Sequence, residues 1–524
     1  MEDRFIRDVR ADARRASLSN AHGAFFAGAF EACLAACDAI ETRDARAAFD
    51  VALLRARVLL RLRRFAEAID ALRACSFTPT TPDGIVSAQM LLGTAHVWLN
   101  DVEPGLALLA QAQEHAAQVH PTIRAELTLH RGIAFHVAGR VDAADAALAA
   151  VPPDADMITA RALEYRGWIA MSRRRFADGM PWFRAAFACI RSCRWRDRFV
   201  EASVISALTS LCAETLEFED WPAIEAFVHE FDWQADGLEM PRLWTAFYCS
   251  VVNEQLGRTD EALAWSRDAE THAVDPGYRA IALDRTAAIF RGLGEPKAHL
   301  EFALRARAAY SGMQPLRPDL RLLPLSNAEE LACAGAVADA EKALRAYREL
   351  GEHDKQEVRD DKRVQGLENL VGGCIAEGRG DRTEAVKLHA SAFRTFRAIG
   401  YRRRAVATAL RLARLTGSRR YVQYANTALA GAHPDYWMAR EARALQSVDA
   451  PALTDHQRTI LLLVAQGKTY KEIGSHLGRS WKTISNSVEH LRGKFRAGNR
   501  GELVARALRH GVVDVGDAES VRSA

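Results

Sequence analysis

The chain has 524 residues, of which 49% are hydrophobic and 26% charged, and its formal net charge is only +3. That length implies more than one domain, and the composition suits folded protein rather than disorder. No uncharged apolar run reaches the roughly 20 residues that span a bilayer, and the N-terminal MEDRFIRDVRADARR lacks a signal peptide's apolar core, so a cytoplasmic protein with no membrane partner is expected.

From the N-terminus onward the sequence repeats a two-helix phrase. An apolar helix ends in a short polar or Gly-containing turn, and a second helix follows with alanine two to four residues after an anchor. The anchors are Phe30, Phe65, Val102, Val141, Phe176, Trp221, Thr259, Pro296, Val337, Arg382 and Tyr421, spaced 35 to 45 residues apart. That period belongs to helical-hairpin solenoids. Small residues recur because antiparallel helices approach closely only where one presents Ala or Gly to the other. Gly93 and Gly167 fall in mid-helix, which costs propensity unless a neighbour packs there. Each hairpin leaves an apolar face that only the next can cover, so the units must stack.

Pro/Gly-bearing stretches at 234–241 and 314–324 read as connections, and the charged run 351–363 as a solvated extension. The phrase resembles the tetratricopeptide repeat, whose first helix favours Leu-Gly and whose second favours an aromatic followed by Ala. A solenoid of this length implies a concave groove lined by one helix of each hairpin, fit for a protein, peptide or small-molecule effector. Trp168, Trp182, Trp244, Phe247, Tyr248 and Trp265 could anchor such a groove, but at helical spacing they read first as core. The nine cysteines are odd in number and scattered, which suits reduced thiols. Cys33/Cys37 and Cys189/Cys193 are spaced i,i+4 without further ligands nearby, so no metal site or cofactor is expected.

The C-terminal end differs in charge. Residues 451–513 carry 11 Lys/Arg against 4 Asp/Glu, whereas the remainder carries 59 against 63. A basic end on a slightly acidic body suggests an anionic partner for that end, with nucleic acid the first candidate, and the helices it encodes narrow it to double-stranded DNA. Gly467-Lys468-Thr469 resembles the end of a phosphate-binding loop, but Leu462 stands where the first glycine is required and no carboxylate-ended apolar strand for magnesium follows. Helix signals fit instead. Thr454-x-x-Gln457 opens a helix that stops at Gly467, and Thr469-x-x-Glu472 opens a second through Leu477. Ser480 caps a third to about Lys494, and Asn499-x-x-Glu502 opens a fourth ending at Gly511.

Ile484, Val488, Leu491 and Phe495 form one apolar stripe of the third helix, with Ile460, Val464, Ile473, Leu477, Leu503 and Leu508 to meet it. On the opposite face Lys482, Ser485, Asn486, Glu489 and Arg492 can share a major groove. Lys482, Thr483 and Lys494 are candidates for phosphates, with a backbone-side contact at Thr469. Asn486 can read adenine and Glu489 can accept from cytosine.

These residues together resemble the LuxR-type DNA-binding domain: Leu453-Thr454, Gly467, Lys471-Glu472-Ile473, Ser480, Lys482-Thr483-Ile484, Lys494-Phe495, Asn499-Arg500 and Glu502-Leu503. The resemblance implies four helices, the third reading DNA and the fourth often pairing two protomers, hence a homodimer on DNA. This chain departs from the family at Gln457 (usually Glu), Ser485 (usually Lys) and Ser487 (usually His), and Trp481 is bulky for the start of a reading helix. The large ATP-binding LuxR regulators also place a TPR-like solenoid before this domain, but no Walker A pattern occurs here, so the chain resembles their C-terminal half alone.

The resulting expectation is an all-α protein, a TPR-like α-solenoid of about eleven hairpins (1–446), a linker (447–452), a LuxR-type helix-turn-helix domain (453–513) and a flexible tail (514–524). It would be a sequence-specific transcription regulator controlled through its repeats, not an enzyme. The alternative is a solenoid scaffold or anti-activator with weak DNA binding.

Overall fold

The computed structural model describes residues 17–509 and 512, apart from 41–43, 76–78, 174–175, 194, 274, 314–319, 321, 350–361 and 447–452. The expected linker, tail, end of the fourth C-terminal helix and nearly all of the charged run 351–363 lie outside the described residues. Among those described, every regular element is a helix.

Among the described residues eleven helical hairpins succeed one another up to Ala428, followed by Trp437–Gln446. The second element of each hairpin starts on the anchor itself, as at Phe30–Asp38, Phe65–Arg73, Val102–Glu114 and Val141–Ala149; only Tyr421 falls two residues inside its helix, Arg419–Ala428. The first helices are longer, and Ala45–Arg61, Pro82–Trp98, Pro121–Val137 and Met157–Arg173 each have 17 residues. Pro241 and Pro324, placed by sequence in connections, sit in the first turns of Glu239–Gln255 and Leu323–Cys333, where a missing N–H costs nothing.

One turn geometry joins most hairpins. Two residues before the anchor, Gly28, Arg63, Asn100, Gly139, Gly257, Gly294, Gly335 and Gly380 all take φ between 60° and 83°. The left-handed residue reverses the chain and lets N–H groups of the turn meet the last carbonyls of the helix before it. Arg64 N, for example, donates to Leu59 O at 2.8 Å.

The small residues act as the sequence reading requires. A Cβ on Gly93 would stand 2.7 Å from Gly105 O, and one on Gly167 would stand 2.5 Å from the Phe183 ring. The gain is close helix packing at those crossings. The helices group into two compact units, one comprising Met1–Cys212 and Glu219–Tyr248, the other Ala213–Phe218 and Cys249–Ala524. The second unit contains the C-terminal helices Asp455–Ala465, Tyr470–Leu477, Trp481–Lys494 and Arg500–Arg509, which share a core of their own around Ile460, Ile473, Ile484, Leu491 and Leu503.

Candidate nucleic-acid interface

Local sequence fixes where the third C-terminal helix begins and what it shows. Thr454 and Thr469 each form a complete capping box, with Gln457 and Glu472 respectively. The Glu472 carboxylate lies below the ordinary range, held there first by the Thr469 backbone N–H at 2.6 Å. Gly478 closes Tyr470–Leu477 with φ 63°, and Ser480 Oγ then accepts from Thr483 N at 3.1 Å. The fourth signal is met with a shift: Asn499 Oδ1 accepts from Glu502 N, but Glu502 reaches back to Gly498 N rather than to Asn499.

The turn between the second and third helices depends on a residue that sequence reading passed over. A Cβ on buried Gly474 would lie 2.6 Å from Arg479 O and 3.3 Å from Trp481 N. Only a glycine lets the turn fold back onto the second helix so tightly. In sequence Arg500 shows only as part of the Asn499-Arg500 motif. Its Nη2 donates to Val464 O at 3.1 Å and Lys468 O at 2.6 Å, tying the fourth helix to the end of the first.

Ile484, Val488 and Leu491 are at most 1% exposed. On the other side Lys482, Thr483, Asn486 and Glu489 are exposed, and Ser485 is half-buried. Thr483 Oγ1 lies 2.8 Å from Ser480 Oγ, so its hydroxyl belongs partly to the cap. Thr469 is exposed, but its Oγ1 and N–H are engaged by Glu472. Arg492 donates to Glu489 Oε2 at 2.8 Å and to Gly498 O, and Lys494 Nζ donates to Gln457 Oε1 at 3.0 Å. Lys482 and Asn486 thus sit together on the open face, while Arg492 and Lys494 are turned towards the domain itself. Ser487, where the family's histidine would stand, donates to Thr483 O at 3.0 Å. Trp481 is 56% exposed and does not cover the core.

In the repeats, Trp168 packs edge-to-face on Phe183 at 5.2 Å, and Trp182 lies 3.8 Å from the Arg166 guanidinium. Trp244, Phe247 and Tyr248 form a cluster with centroids 5.0 to 6.1 Å apart. All six candidate aromatics are half-buried. All nine cysteines are free thiols, and no group of three His, Cys, Asp or Glu among the described residues could hold a metal. No described helix is long and apolar enough to cross a membrane.

A short capped helix, a glycine turn and a second helix with an apolar inner and polar outer face define a DNA-binding helix-turn-helix domain. Residues 451–507 match the bacterial regulatory proteins of the luxR family. The spore germination protein GerE of Bacillus subtilis is 35% identical over 65 residues, 12% of this chain and 88% of that protein. The chain belongs to this family. An HTH-type transcriptional regulator from the exeN 3′ region of Aeromonas salmonicida is 35% identical over 92 residues, 17% of this chain. The chain spans 47% of that relative's length.

Solved structures resemble the chain over more of its length. A Rap protein complexed with competence and sporulation factor matches 72% of this chain and 99% of its own, at 12% identity and a TM-score of 0.37. The APC/C hetero-tetramer Cut9-Hcn1 matches 93% and 95%, at 14% identity and 0.33. Both likenesses are weak.

Proposed function

We propose that this protein is a sequence-specific transcription regulator that lays helix Trp481–Lys494 in the DNA major groove and is controlled through its helical repeats. The observation that carries this reading is the outer face of that helix. Lys482 and Asn486 are exposed together, one turn apart, behind a fully buried stripe and beyond a capped turn. In this reading Asn486 reads adenine and Lys482 holds a phosphate. Glu489 and Ser485 complete the reading face, and Thr469 and Thr483 flank the backbone. Arg492 and Lys494 join them once their present bonds to Glu489, Gly498 and Gln457 are exchanged for phosphate. Two protomers would bind a two-fold site, and the repeat groove would take the effector.

Gel shifts and footprints across a salt series test this reading. Lys482→Ala should weaken binding on all sequences and flatten the salt slope, by about one unit for one phosphate contact. Asn486→Ala should instead cost discrimination at one base pair, by about 1–3 kcal/mol. A wild type with no salt-dependent binding above the two variants would sink the proposal. The second reading, a scaffold with weak DNA affinity, draws on the internal partners of Arg492 and Lys494, and it predicts that outcome.

A further inference from the structure

The first unit encloses a cavity of about 740 Å³, the size of a site for a drug-sized molecule. Its wall is built from the first helices of five successive hairpins, and each supplies residues four apart on one helix face. They are Arg57 and Arg61, then Thr94 and Trp98, then Glu126 and His130. Arg161 with Tyr165, and Phe199 with Ser203, complete the series. The pattern recurs once per hairpin, as a solenoid's inner face requires.

Two chemistries meet there. The apolar part is an aromatic wall of Phe65 and Trp98, stacked on each other at 5.4 Å with 7° between their planes, with the Arg63 guanidinium 5.5 Å from the Trp98 ring. Exposed Phe26 and Trp195 also line the cavity, 5.3 Å apart, so it opens to solvent beside them. The polar part is cationic at its centre. Arg57 is spent on Glu126 in a bidentate pair at 2.7 and 2.6 Å. Arg161 is spent on Glu164 at 2.6 Å and Ser203 at 3.1 Å. Arg61 is not spent.

Arg61 lies over the Phe199 ring at 4.7 Å and makes one hydrogen bond, Nη2 to Asp197 Oδ2 at 3.1 Å. Its Nη1 is buried without a partner, although the side chain keeps 23% of its surface accessible. An unmet guanidinium donor between aromatic rings is costly, and an anionic oxygen is what would satisfy it. His130 lines the same cavity. It bonds Thr94 Oγ1 at 2.9 Å and is held down to about 4, first by burial, with Glu126 opposing and Arg57, Arg61 and Arg161 reinforcing.

We propose that this cavity binds a small organic carboxylate with a flat aromatic body, the ring lying on the Phe65–Trp98 wall and the carboxylate bonding Arg61. This rests on the regulator reading above, because the cavity is then the effector site in the repeat groove.

Calorimetry on the full chain tests it with three flat aromatic acids, benzoate, 2-naphthoate and indole-3-carboxylate, each against its neutral amide. The bicyclic acids should bind, and each should outbind its amide by about ten- to a hundredfold, the worth of a charge-assisted hydrogen bond. Arg61→Gln should remove that preference. Should Arg61→Gln fail to fold, Phe26→Ala at the exposed rim should still lower affinity for acid and amide alike. The site is overturned if no bicyclic acid binds at millimolar concentration, if acid and amide bind equally, or if Arg61→Gln keeps the preference. DNA gel shifts with and without 2-naphthoate separate the two readings. Binding of the acid without any change in DNA affinity leaves the site standing and removes its regulatory role. DNA binding by a protein that takes none of the acids removes the site and leaves the DNA-binding reading.

Discussion

The repeats and the C-terminal domain both turn one helix into the next through a left-handed residue, yet they stop and start their helices differently. In the repeats the residue after the left-handed one is already the N-cap. Arg64, Asp101, Arg140, Arg258 and Ala336 occupy that place with ψ between 58° and 69°, and none makes a side-chain cap bond. In the C-terminal domain one further residue intervenes. Thr469 and Ser480 follow Gly467 and Gly478 by two and reach ψ 159° and 147°, from which the hydroxyl accepts an N–H three residues on. Asp381 is an exception in the repeats, accepting from Glu384 N at 3.0 Å. The extra residue makes the second type of boundary depend on side-chain chemistry. The first depends on backbone shape and on what the next hairpin packs against it.

If that contrast is right, the largest effects come from packing, each confined to its own region. Leu491→Ala removes a fully buried side chain at the centre of the small C-terminal core and should cost about 2–5 kcal/mol. Hydrogen exchange should show residues 455–509 losing protection while the first unit keeps its own. Loss of protection in both would break the separation.

The first unit has a sensitivity to acid of its own. His130 is held down to about 4, first by burial, from its ordinary 6.5. A group whose folded pKa is depressed contributes stability above its unfolded value, and that stability fades as pH falls through the window between the two. The first unit should therefore lose up to a few kcal/mol between about pH 6.5 and 4, followed as exchange rates in Pro121–Val137. His130→Gln should flatten this pH dependence; an unchanged slope would assign it elsewhere.

Close approach comes next. Gly93→Ala improves helix propensity by about 1 kcal/mol, but its Cβ would meet backbone 2.7 Å away at Gly105 O. Net destabilisation of about 1–3 kcal/mol is expected from the forced separation. A stabilised variant would show that this crossing is looser than the contact implies.

How legible all this is in the sequence follows the same contrast. Caps are local: Thr454, Thr469 and Ser480 announce themselves within four residues, and all three boundaries stand where they were expected. The hairpin anchors are legible because helix starts recur every 35 to 45 residues. Gly474 was not legible, because its reason lies in the backbone of Arg479 beyond the helix end. Nor was the cavity. The aromatics the sequence offers for a groove, Trp168, Trp182, Trp244, Phe247, Tyr248 and Trp265, read first as core, and none of them lines it. The usable signal was a phase: polar and aromatic residues four apart recur in first helices at Arg57/Arg61, Glu126/His130 and Arg161/Tyr165. Pairing Arg57 with Glu126 needs contact across 69 residues, which no local pattern encodes.

The smallest effects test the caps directly. Thr469→Ala removes the hydroxyl that accepts from Glu472 N at 3.3 Å and should cost about 1 kcal/mol. The reverse experiment belongs in the repeats, where Ala336→Ser places a hydroxyl at an N-cap with φ −82° and ψ 58°. From that backbone the cap bond is not formed, so the change should stay within about 0.5 kcal/mol. Arg63→Gly, by contrast, relieves a non-glycine residue at φ 60° and should stabilise the first unit by up to about 1 kcal/mol. A gain for Ala336→Ser with none for Arg63→Gly would invert the contrast, making side-chain capping rather than backbone shape the limiting feature of the hairpin turns.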